Sequence, residues 1–461
     1  MKSFVIVCLI SLGLGYLLIS CEPEEQQFTF SPSAKLRFSQ DTVIFDTVFT
    51  SIGSTTKRFL VYNDDPNALN ITSIKTIDPS SPYTLTVNGL SGKVFENFRL
   101  LGKDSMLVLV EVLIDPMDED LPFIVEDLVE FETNQNLQSI NLVAWGQDAN
   151  FLSDSILSCQ TTWTAERPYV IYNSVLIDSL CLLTVEPGAK VYSHVGSSIF
   201  IKGRIDVKGE AGNRVIFTND RLDERYLNAP GQWEGIFFLT GSKDNLIKYA
   251  DIRNANNGIW LGTPDNDTIP DLSLEGVVIE NMAGSGLLGF TSDLYAVNTL
   301  INNCADFCVG NFAGGNYTYN HCTFANYSFT FFRENPIIAV TDNLLLGDQS
   351  LLVDDIDLEL VNSIIWGDFQ NELIFNNDGG ADFKILIASS ILRTTDPGLD
   401  NNGNLLNVDP LFIDPVIYNF RLDSLSPAIN SGLVSEILLD LDGNSRDGNP
   451  DIGSFEWIGN N

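Results

Sequence analysis

Two groups of charged residues in the middle of the chain have the composition of an acid–base site. One group, Asp220, Asp223 and Arg225, lies in the stretch NDRLDERY, and the other is Asp251 with Arg253. Side chains at positions i and i+2 of a strand share a face, so Asp251 and Arg253 are expected to be neighbours. A carboxyl group beside a cation can exchange protons in general acid–base catalysis. The alternative is that a stretch of mixed charge is simply solvated.

A cluster of oxygen-bearing side chains near the C-terminus raises the question of a metal. Ca²⁺ takes about six to eight oxygen ligands. The spacing departs from an EF-hand loop, whose glycine is sixth, because Gly443 is fourth here. Arg446 sits among the acids and could neutralise them without a metal. We expect no obligatory cofactor, with Ca²⁺ as the open alternative. The candidate ligands are Asp440, Asp442, Asn444, Asp447 and Asp451.

The N-terminus contains a candidate lipidation site at Cys21. An apolar run from Phe4 to Ile19 follows Lys2 and is shorter than the roughly 20 apolar residues of a bilayer-spanning helix. A charged start and a short apolar stretch are typical of a secretory signal. The ending Leu-Ile-Ser-Cys, residues 18–21, resembles the lipobox of bacterial lipoproteins, in which the cysteine is lipidated and becomes the first mature residue. The alternative is an uncleaved anchor with an incidental cysteine.

The lipobox resemblance implies a signal peptide at 1–20, a short tether at 21–27 and a membrane partner reached through the lipid. The acids Glu22, Glu24 and Glu25 resemble the export signals of Bacteroidota-type surface lipoproteins. This resemblance implies an outer-membrane lipoprotein that faces outward.

A second modification is suggested by a short motif, Asp-(Ser/Thr)-(aliphatic, Met or Thr), which resembles the O-glycosylation motif of Bacteroidota surface and periplasmic proteins. The motif is weakly specific, because acidic β-rich chains produce it by chance. Its acceptor positions here are Thr42, Thr47, Ser105, Ser155, Ser179, Thr268 and Ser424.

Charge and cysteine content exclude some classes of partner. The net charge is −36, which repels polynucleotides, so no nucleic-acid partner is expected. Beyond Cys8 and Cys21, five cysteines remain, and an odd number leaves at least one thiol unpaired. With no C-x-x-C zinc spacing present, these cysteines are interpreted mainly as core residues, with a disulfide as the minor option.

Residues 28–147 contain short apolar-alternating runs separated by turn residues, which predicts an antiparallel β-sandwich. The stretches LLGKDS at 100–105 and FETN at 131–134 resemble turn and strand-end motifs of Ig-like domains in bacterial and ciliary surface or scaffold proteins. The resemblance implies an Ig-like domain, followed by a linker at 148–167.

Beyond residue 168 the chain repeats itself. Gly-Ile-Phe-Phe at 235–238, Gly-Ile-Trp-Leu at 258–261 and Gly-Leu-Leu-Gly at 286–289 recur in phase with a second, asparagine-ended series. Repeats too short to bury an apolar face must stack, and their period with short β runs predicts a right-handed parallel β-helix over 168–430. Asparagine tolerates tight corners, so a structural hydrogen-bonded ladder is expected. Its members are Asn254, Asn281, Asn303 and Asn326.

The C-terminal region carries the closest family resemblance. Asp409-Pro410-Leu411-Phe412, the stretch from Leu422 through Ser-Pro-Ala-Ile-Asn to Gly432, and DLDGNSRDGNPDIGSFEW at 440–457 resemble the closing region of Bacteroidota-type right-handed β-helix surface lipoproteins, with a pectate-lyase-like solenoid. The resemblance implies a cap at 431–461. A solenoid needs one, because its last coil would otherwise expose apolar side chains.

Two functions from different classes fit this all-β architecture, an Ig-like sandwich followed by a capped right-handed β-helix. The first is a monomeric, non-catalytic module that contacts glycans or a partner protein through stacked aromatic residues. The second, by analogy of fold alone, is a lyase or hydrolase of acidic polysaccharides. Catalysis would require at least three carboxylates and a basic residue to converge in an exposed groove across adjacent coils. The aromatic candidates are Trp260, Tyr295, Tyr317, Tyr319, Tyr327 and Trp366.

Overall fold

A computed structural model describes residues 26–262, 269–347, 349–377 and 380–459. Within these ranges the chain forms two compact units. Among the described residues, unit 1 contains 26–117 together with 122–147, and unit 2 contains 118–121 together with the residues from 148 to 459. The predicted signal peptide, Cys21 and Thr268 lie outside the described residues.

Unit 1 is built from strands in which apolar and polar residues alternate. In the strand Ser105–Val112 every second side chain is buried, from Met106 to Val112. One face of such a strand therefore contributes to a core, and the other faces water. The strands are β1 Leu36–Phe38, β2 Thr42–Phe49, β3 Lys57–Asn63, β4 Leu69–Thr76, β5 Tyr83–Val87, β6 Leu90–Gly92, β7 Val94–Leu100, β8 Ser105–Val112, β9 Phe123–Thr133 and β10 Asn136–Gln147.

These strands form two five-stranded sheets within residues 26–147, in the orders β1-β3-β8-β5-β6 and β2-β10-β9-β4-β7. Neighbours are antiparallel apart from β2, which runs parallel to β10. Their inner faces share one core, in which Phe45, Phe59 and Phe131 are almost fully buried. The predicted sandwich is confirmed.

Unit 2 is dominated by one sheet of 25 strands among the described residues, whose long-range pairings are parallel. Short strands separated by corners wind repeatedly, and each strand pairs with its counterpart in the next coil. The strands that wind are β11 Asn150–Ile156, β12 Thr161–Trp163, β13 Tyr169–Ile177, β14 Leu182–Val185, β15 Lys190–Ser193, β16 Ser198–Ile201, β17 Arg204–Lys208, β18 Val215–Asn219, β19 Gly235–Phe238, β20 Asn245–Lys248, β21 Ala250–Arg253, β22 Ile259–Leu261, β23 Leu272–Glu275, β24 Val278–Met282, β25 Leu287–Val297, β26 Leu300–Cys304, β27 Val309–Asn320, β28 Thr323–Asn326, β29 Ile338–Thr341, β32 Ile356–Val361, β33 Ile364–Gly367, β34 Leu373–Asn376, β35 Phe383–Ala388, β36 Ile391–Leu392 and β37 Leu405–Leu406.

Smaller elements complete unit 2. Two antiparallel pairs stand beside the large sheet. One single-turn 3₁₀ helix lies between β36 and β37, and another lies between the two strands of the second pair. They are β30 Asn343–Leu345 with β31 Leu351–Val353, β38 Phe412–Asp414 with β39 Asn419–Leu422, and the 3₁₀ helices Pro397–Leu399 and Pro415–Ile417. No helix in the described part of the chain is both long and apolar enough to cross a bilayer.

The winding strands form a parallel β-helix with three faces, which confirms the solenoid prediction. Face A is made of β15, β18, β21, β24, β26, β28, β33 and β36. Face B is made of β16, β19, β22, the first halves of β25 and β27, β29 and β34. Face C is made of β14, β17, β20, β23, the second halves of β25 and β27, β32 and β35.

Aliphatic ladders hold the coils together. On face B, inward side chains stack in register through five successive coils and are fully buried. Truncating one such side chain to alanine costs about 2–5 kcal/mol, because a cavity replaces buried surface. These residues are Ile199, Ile236, Ile259, Leu287 and Val309.

The C-terminal segment, residues 408–459, lies along the outer side of face A, so the prediction that it caps the last coil was wrong in placement. Its backbone and side chains bond to three successive parts of the helix, through Asn298, Thr323 and Asn362. The interior of the last coils is contacted instead by Leu399 and Leu406. The apolar residues that seal the flank are Leu300, Ala325, Ile364, Trp366, Ile391, Phe412, Phe420, Leu422, Ala428, Leu441, Ile452 and Phe455.

The cysteines of unit 2 take both of the roles considered. Cys159 and Cys181 form a disulfide between early coils. Cys304, Cys308 and Cys322 are free thiols with no exposed surface, packed in the core of the β-helix.

Candidate functional site

An exterior row of aromatic rings runs across five consecutive coils of face B. We call it the aromatic strip, and each of its rings is half-buried. Successive ring centroids are 5.5, 6.2, 4.7 and 5.6 Å apart. With strands about 4.8 Å apart, the strip is about 20 Å long. It consists of Phe200, Phe237, Trp260, Phe290 and Phe312.

The strip shifts by two residues halfway along. Phe237 pairs in register with Trp260, but Trp260 pairs with Leu288, and the next ring comes from Phe290. Phe312 then pairs in register with Phe290. An added Cβ at Gly310 would lie 2.5 Å from the Phe312 ring, so the glycine leaves room for that ring.

The other aromatic candidates occupy different places. Tyr317 and Tyr319 are buried inside the β-helix, and Trp366 lies under the C-terminal segment. Tyr295 is on face C, and Tyr327 stacks on Phe329. Trp260 alone among them belongs to the strip. The aligned repeats do signal Phe237 and Trp260, which share the third position of Gly-Ile-Phe-Phe and Gly-Ile-Trp-Leu.

Three of the four predicted ladder asparagines are joined by side-chain hydrogen bonds at the corner after face A. Asn281 Nδ2 donates to Asn254 Oδ1 over 3.2 Å, and Asn303 Nδ2 donates to Asn281 Oδ1 over 2.6 Å. All three have positive φ angles, which asparagine tolerates. Asn219, which sequence analysis missed, extends the row by accepting from Asn254. Asn326 instead bonds both backbone groups of Cys304.

Asp251 and Arg253 line a pocket of about 220 Å³ between face A and the C-terminal segment. We call it the flank pocket. Arg214 donates to Asp251 over 2.6 Å, and Arg253 lies 3.0 Å from both Asp251 and Glu280. Glu280, which follows Arg253 in the next coil, was not among the sequence candidates. Its burial raises its pKa, and the Arg253 charge offsets part of that effect.

The C-terminal segment supplies the opposite wall of the flank pocket. Arg421 donates twice to Asp442, each time over 2.6 Å, and its guanidinium packs over the ring of Phe455. The hydroxyl of Tyr418 accepts a hydrogen bond from Asn303. Two carboxylates and two guanidiniums from adjacent coils therefore meet Asp442 and Arg421 of the C-terminal segment. Catalysis was expected to need at least three carboxylates in an exposed groove across adjacent coils, and the coils supply two here, both largely buried. Each carboxylate is already paired.

The other sequence-predicted charges do not line the flank pocket. Asp220 is 2.7 Å from Nδ1 of His194, whose ring stacks on Tyr172 with centroids 4.3 Å apart. Asp223 lies 3.8 Å from Arg221, and Arg225 is exposed. These residues form a surface cluster on the early coils.

The five candidate calcium ligands do not converge on one point. Asp440 is buried and accepts from the backbone of Asn444 and Glu456. Asp442 is paired with Arg421, and Asp451 accepts from backbone amides at 430 and 457. Asp447 bonds the backbone of Asn449. Within the described ranges, no group of three or more acidic, histidine or cysteine side chains is arranged to hold a metal.

Arg446 does neutralise an acid near the C-terminus, but its partner is Glu456, which lay outside the candidate set. Their side chains are 3.1 Å apart and only 2% and 7% exposed. Arg446 also donates to Asn298 of the β-helix over 2.8 Å. The guanidinium therefore fastens the C-terminal segment to face A.

Among the described glycosylation candidates, three hydroxyls are exposed and three are half-buried. Exposed acceptors are open to a modifying enzyme, and half-buried strand positions are less so. The exposed residues are Ser105, Ser179 and Ser424, and the half-buried residues are Thr42, Thr47 and Ser155.

The sequence matches no protein-family profile and no curated protein sequence. Several solved structures align with parts of the chain at low similarity. The Agl-KA catalytic domain aligns over 72% of this chain and 80% of its own, at 11% identity and a TM-score of 0.23. The PapD-like domain 7 of human CEP192 aligns over 29% of this chain and 97% of its own, at 12% identity and a TM-score of 0.19. A protein of unknown function from Porphyromonas gingivalis W83 aligns over 27% of this chain and 60% of its own, at 12% identity and a TM-score of 0.18. These TM-scores are too low to carry an argument about function.

Proposed function

We propose that this protein is a cell-envelope binding module that holds a glycan chain along the aromatic strip of face B. The observation that carries the proposal is the row of five half-buried rings. The C–H faces of sugar rings pack on aromatic rings while their hydroxyls stay in water, and large flat side chains provide this surface at low entropic cost. A regular row suits a polymer with a regular repeat.

The net charge of the chain selects among polymers. With 61 acidic against 25 basic residues, the protein repels polyanions, so the proposed ligand is a neutral glycan. The rival function, cleavage of an acidic polysaccharide, draws support from the convergence of charges in the flank pocket. That support is weaker, because the three guanidiniums are matched by three carboxylates and leave no excess positive charge for an acidic substrate.

The test is a glycan array probed with the full chain in mild detergent, followed by titration of the best neutral hit. The variant Phe237→Ala/Trp260→Ala should weaken binding at least tenfold, or about 1.4 kcal/mol. The control is Phe332→Ala, which removes a ring that is 90% exposed and outside the strip. Undiminished binding by the double variant, or binding of acidic glycans alone, would contradict the proposal. A depolymerisation screen on the same samples tests the rival function.

The proposed location is the outer membrane, facing outward, with the chain anchored as a monomer by lipid on Cys21. Support comes from the lipobox-like ending and the acids that follow it. Cys21→Ser should move the protein from the membrane to the soluble fraction. If this variant stays in the membrane fraction with its signal uncleaved, the proposal that Cys21 carries the lipid anchor is contradicted.

O-glycosylation is a separate proposal that rests on the repeated Asp-Ser/Thr motif. The exposed acceptors Ser105, Ser179 and Ser424 are its best-supported sites. Intact-mass spectrometry of the native protein should show added sugar. A mass equal to the lipidated polypeptide alone would remove the proposal.

A further inference from the structure

We infer that the flank pocket is a second binding site, which takes a single neutral sugar ring. It does not depend on the aromatic strip, because the pocket lies on face A and the strip on face B. The inference rests on the size of the pocket, its balance of charge, and the pairing of apolar and polar walls.

The size of the flank pocket limits its ligand. Its volume of about 220 Å³ is below the roughly 300–1,000 Å³ of pockets for drug-sized ligands. One sugar ring fits such a space, and an enclosed oligosaccharide does not. A longer glycan could insert only its terminal unit.

The charges of the flank pocket favour a neutral ligand. The positive charges of Arg214, Arg253 and Arg421 equal the negative charges of Asp251, Glu280 and Asp442. An ionic ligand would find no uncompensated partner and would lose its hydration on entry. A neutral polyol can instead donate to a carboxylate and accept from a guanidinium with neighbouring hydroxyls.

The walls of the pocket divide in the way a sugar ring requires. Val278, Leu300 and Leu441 line the apolar side of the pocket, where one C–H face would lie. The polar side of the pocket includes the carboxylate of Glu280, a residue that is only 8% exposed.

The experiment measures binding of glucose, galactose, mannose and N-acetylglucosamine to the full chain by calorimetry. Each sugar is offered free and as the end unit of a tetrasaccharide, which separates a free-sugar site from a chain-end site. At least one should bind with a Kd of about 1 mM or tighter. Glucuronate and glucosamine should bind at least tenfold more weakly than their neutral counterparts. No binding by any neutral sugar, or tighter binding of a charged one, would overturn the inference.

Variants assign the binding to the flank pocket. Glu280→Gln keeps the shape of the side chain but changes its hydrogen bonding, and Arg253→Lys removes the guanidinium from a 37% exposed side chain. Each should weaken binding at least tenfold. Arg253→Lys keeps the charge and should melt close to the parent, whereas Glu280→Gln loses a largely buried ion pair and should melt at a lower temperature. The matched control is Glu275→Gln, which breaks the 3.0 Å ion pair with Lys248 on face C and should leave binding unchanged. Trp260→Ala should also leave it unchanged. Full binding by both pocket variants would refute the assignment.

Discussion

Face A and face B are built from the same repeats, yet one is covered and the other is open. Face A presents aliphatic residues such as Leu300 and Ile364 outward, and the C-terminal segment buries them. Face B presents aromatic rings outward, and they stay half-buried. The difference teaches that the outward positions of a solenoid are set by what lies against them. Aliphatic rows need a permanent partner, and aromatic rows tolerate water and can exchange partners.

The largest expected effect comes from removing a ring from the cover of face A. Phe420 is 2% exposed, so Phe420→Ala should lower the free energy of unfolding by about 3–5 kcal/mol. Chemical denaturation of the two proteins measures the change. The matched substitution on face B, Phe237→Ala, should cost less than half as much, because its ring is only half-buried. Equal losses would break the comparison between the faces.

The next largest effect should follow from breaking the ion pair between Arg446 and Glu456, which helps hold the C-terminal segment on face A. Arg446→Met leaves Glu456 buried without its partner, and breaking a buried ion pair costs about 3–5 kcal/mol, less the gain from packing the methionine. The double variant Arg446→Met/Glu456→Gln should recover part of the loss. If the double variant is no more stable than the single one, the pair is not coupled as described.

A smaller effect concerns pH, because His321 lies beneath the same cover. Burial and the Arg446 charge lower the pKa of His321 to about 3. Below pH 6.5 the unfolded chain takes up a proton on His321 and the folded chain does not. The free energy of unfolding therefore decreases as the pH falls. Between pH 6.5 and 5.5 its share is about 1 kcal/mol. His321→Gln should flatten the pH dependence of the unfolding midpoint, measured against His194→Gln as control.

The shifted pKa of Asp451 changes the pH dependence of stability in the direction opposite to that of His321. Burial raises its pKa to about 6, so the folded chain holds a proton that the unfolded chain has released, and this share of stability grows as pH falls through 6. Asp451→Asn should therefore steepen the loss of stability on acidification. An unchanged slope in both variants would show that neither group governs the acid response of the cover.

The smallest expected effect is that of a chelator. Asp440 and Asn444 bond each other and Asp442 is paired with Arg421, so the five C-terminal candidate ligands do not converge and EDTA should leave the melting temperature unchanged. A fall in the melting temperature that added Ca²⁺ restores would contradict this arrangement.

Repeats and turn residues were enough to predict the fold, because each coil is a local pattern and neighbouring coils repeat it. The same reasoning found Asp251 and Arg253, which share one strand. It missed Glu280, whose position beside Arg253 depends on the register between coils. It also missed Phe290 and Phe312, because the strip shifts by two residues there. The place of the C-terminal segment depends on contacts such as Arg446 with Asn298, which lie 148 residues apart and leave no local signal.

The C-terminal segment that covers face A also ties the order of folding to the direction of synthesis. Most contacts of the β-helix join neighbouring coils, so coils can form one after another as the chain emerges. Leu300 and Ile364 have no cover until residues 408–459 have been synthesised. The growing chain thus carries an aliphatic, strand-rich surface until those residues fold over it. We expect a chaperone that recognises such surfaces to bind the chain up to that point.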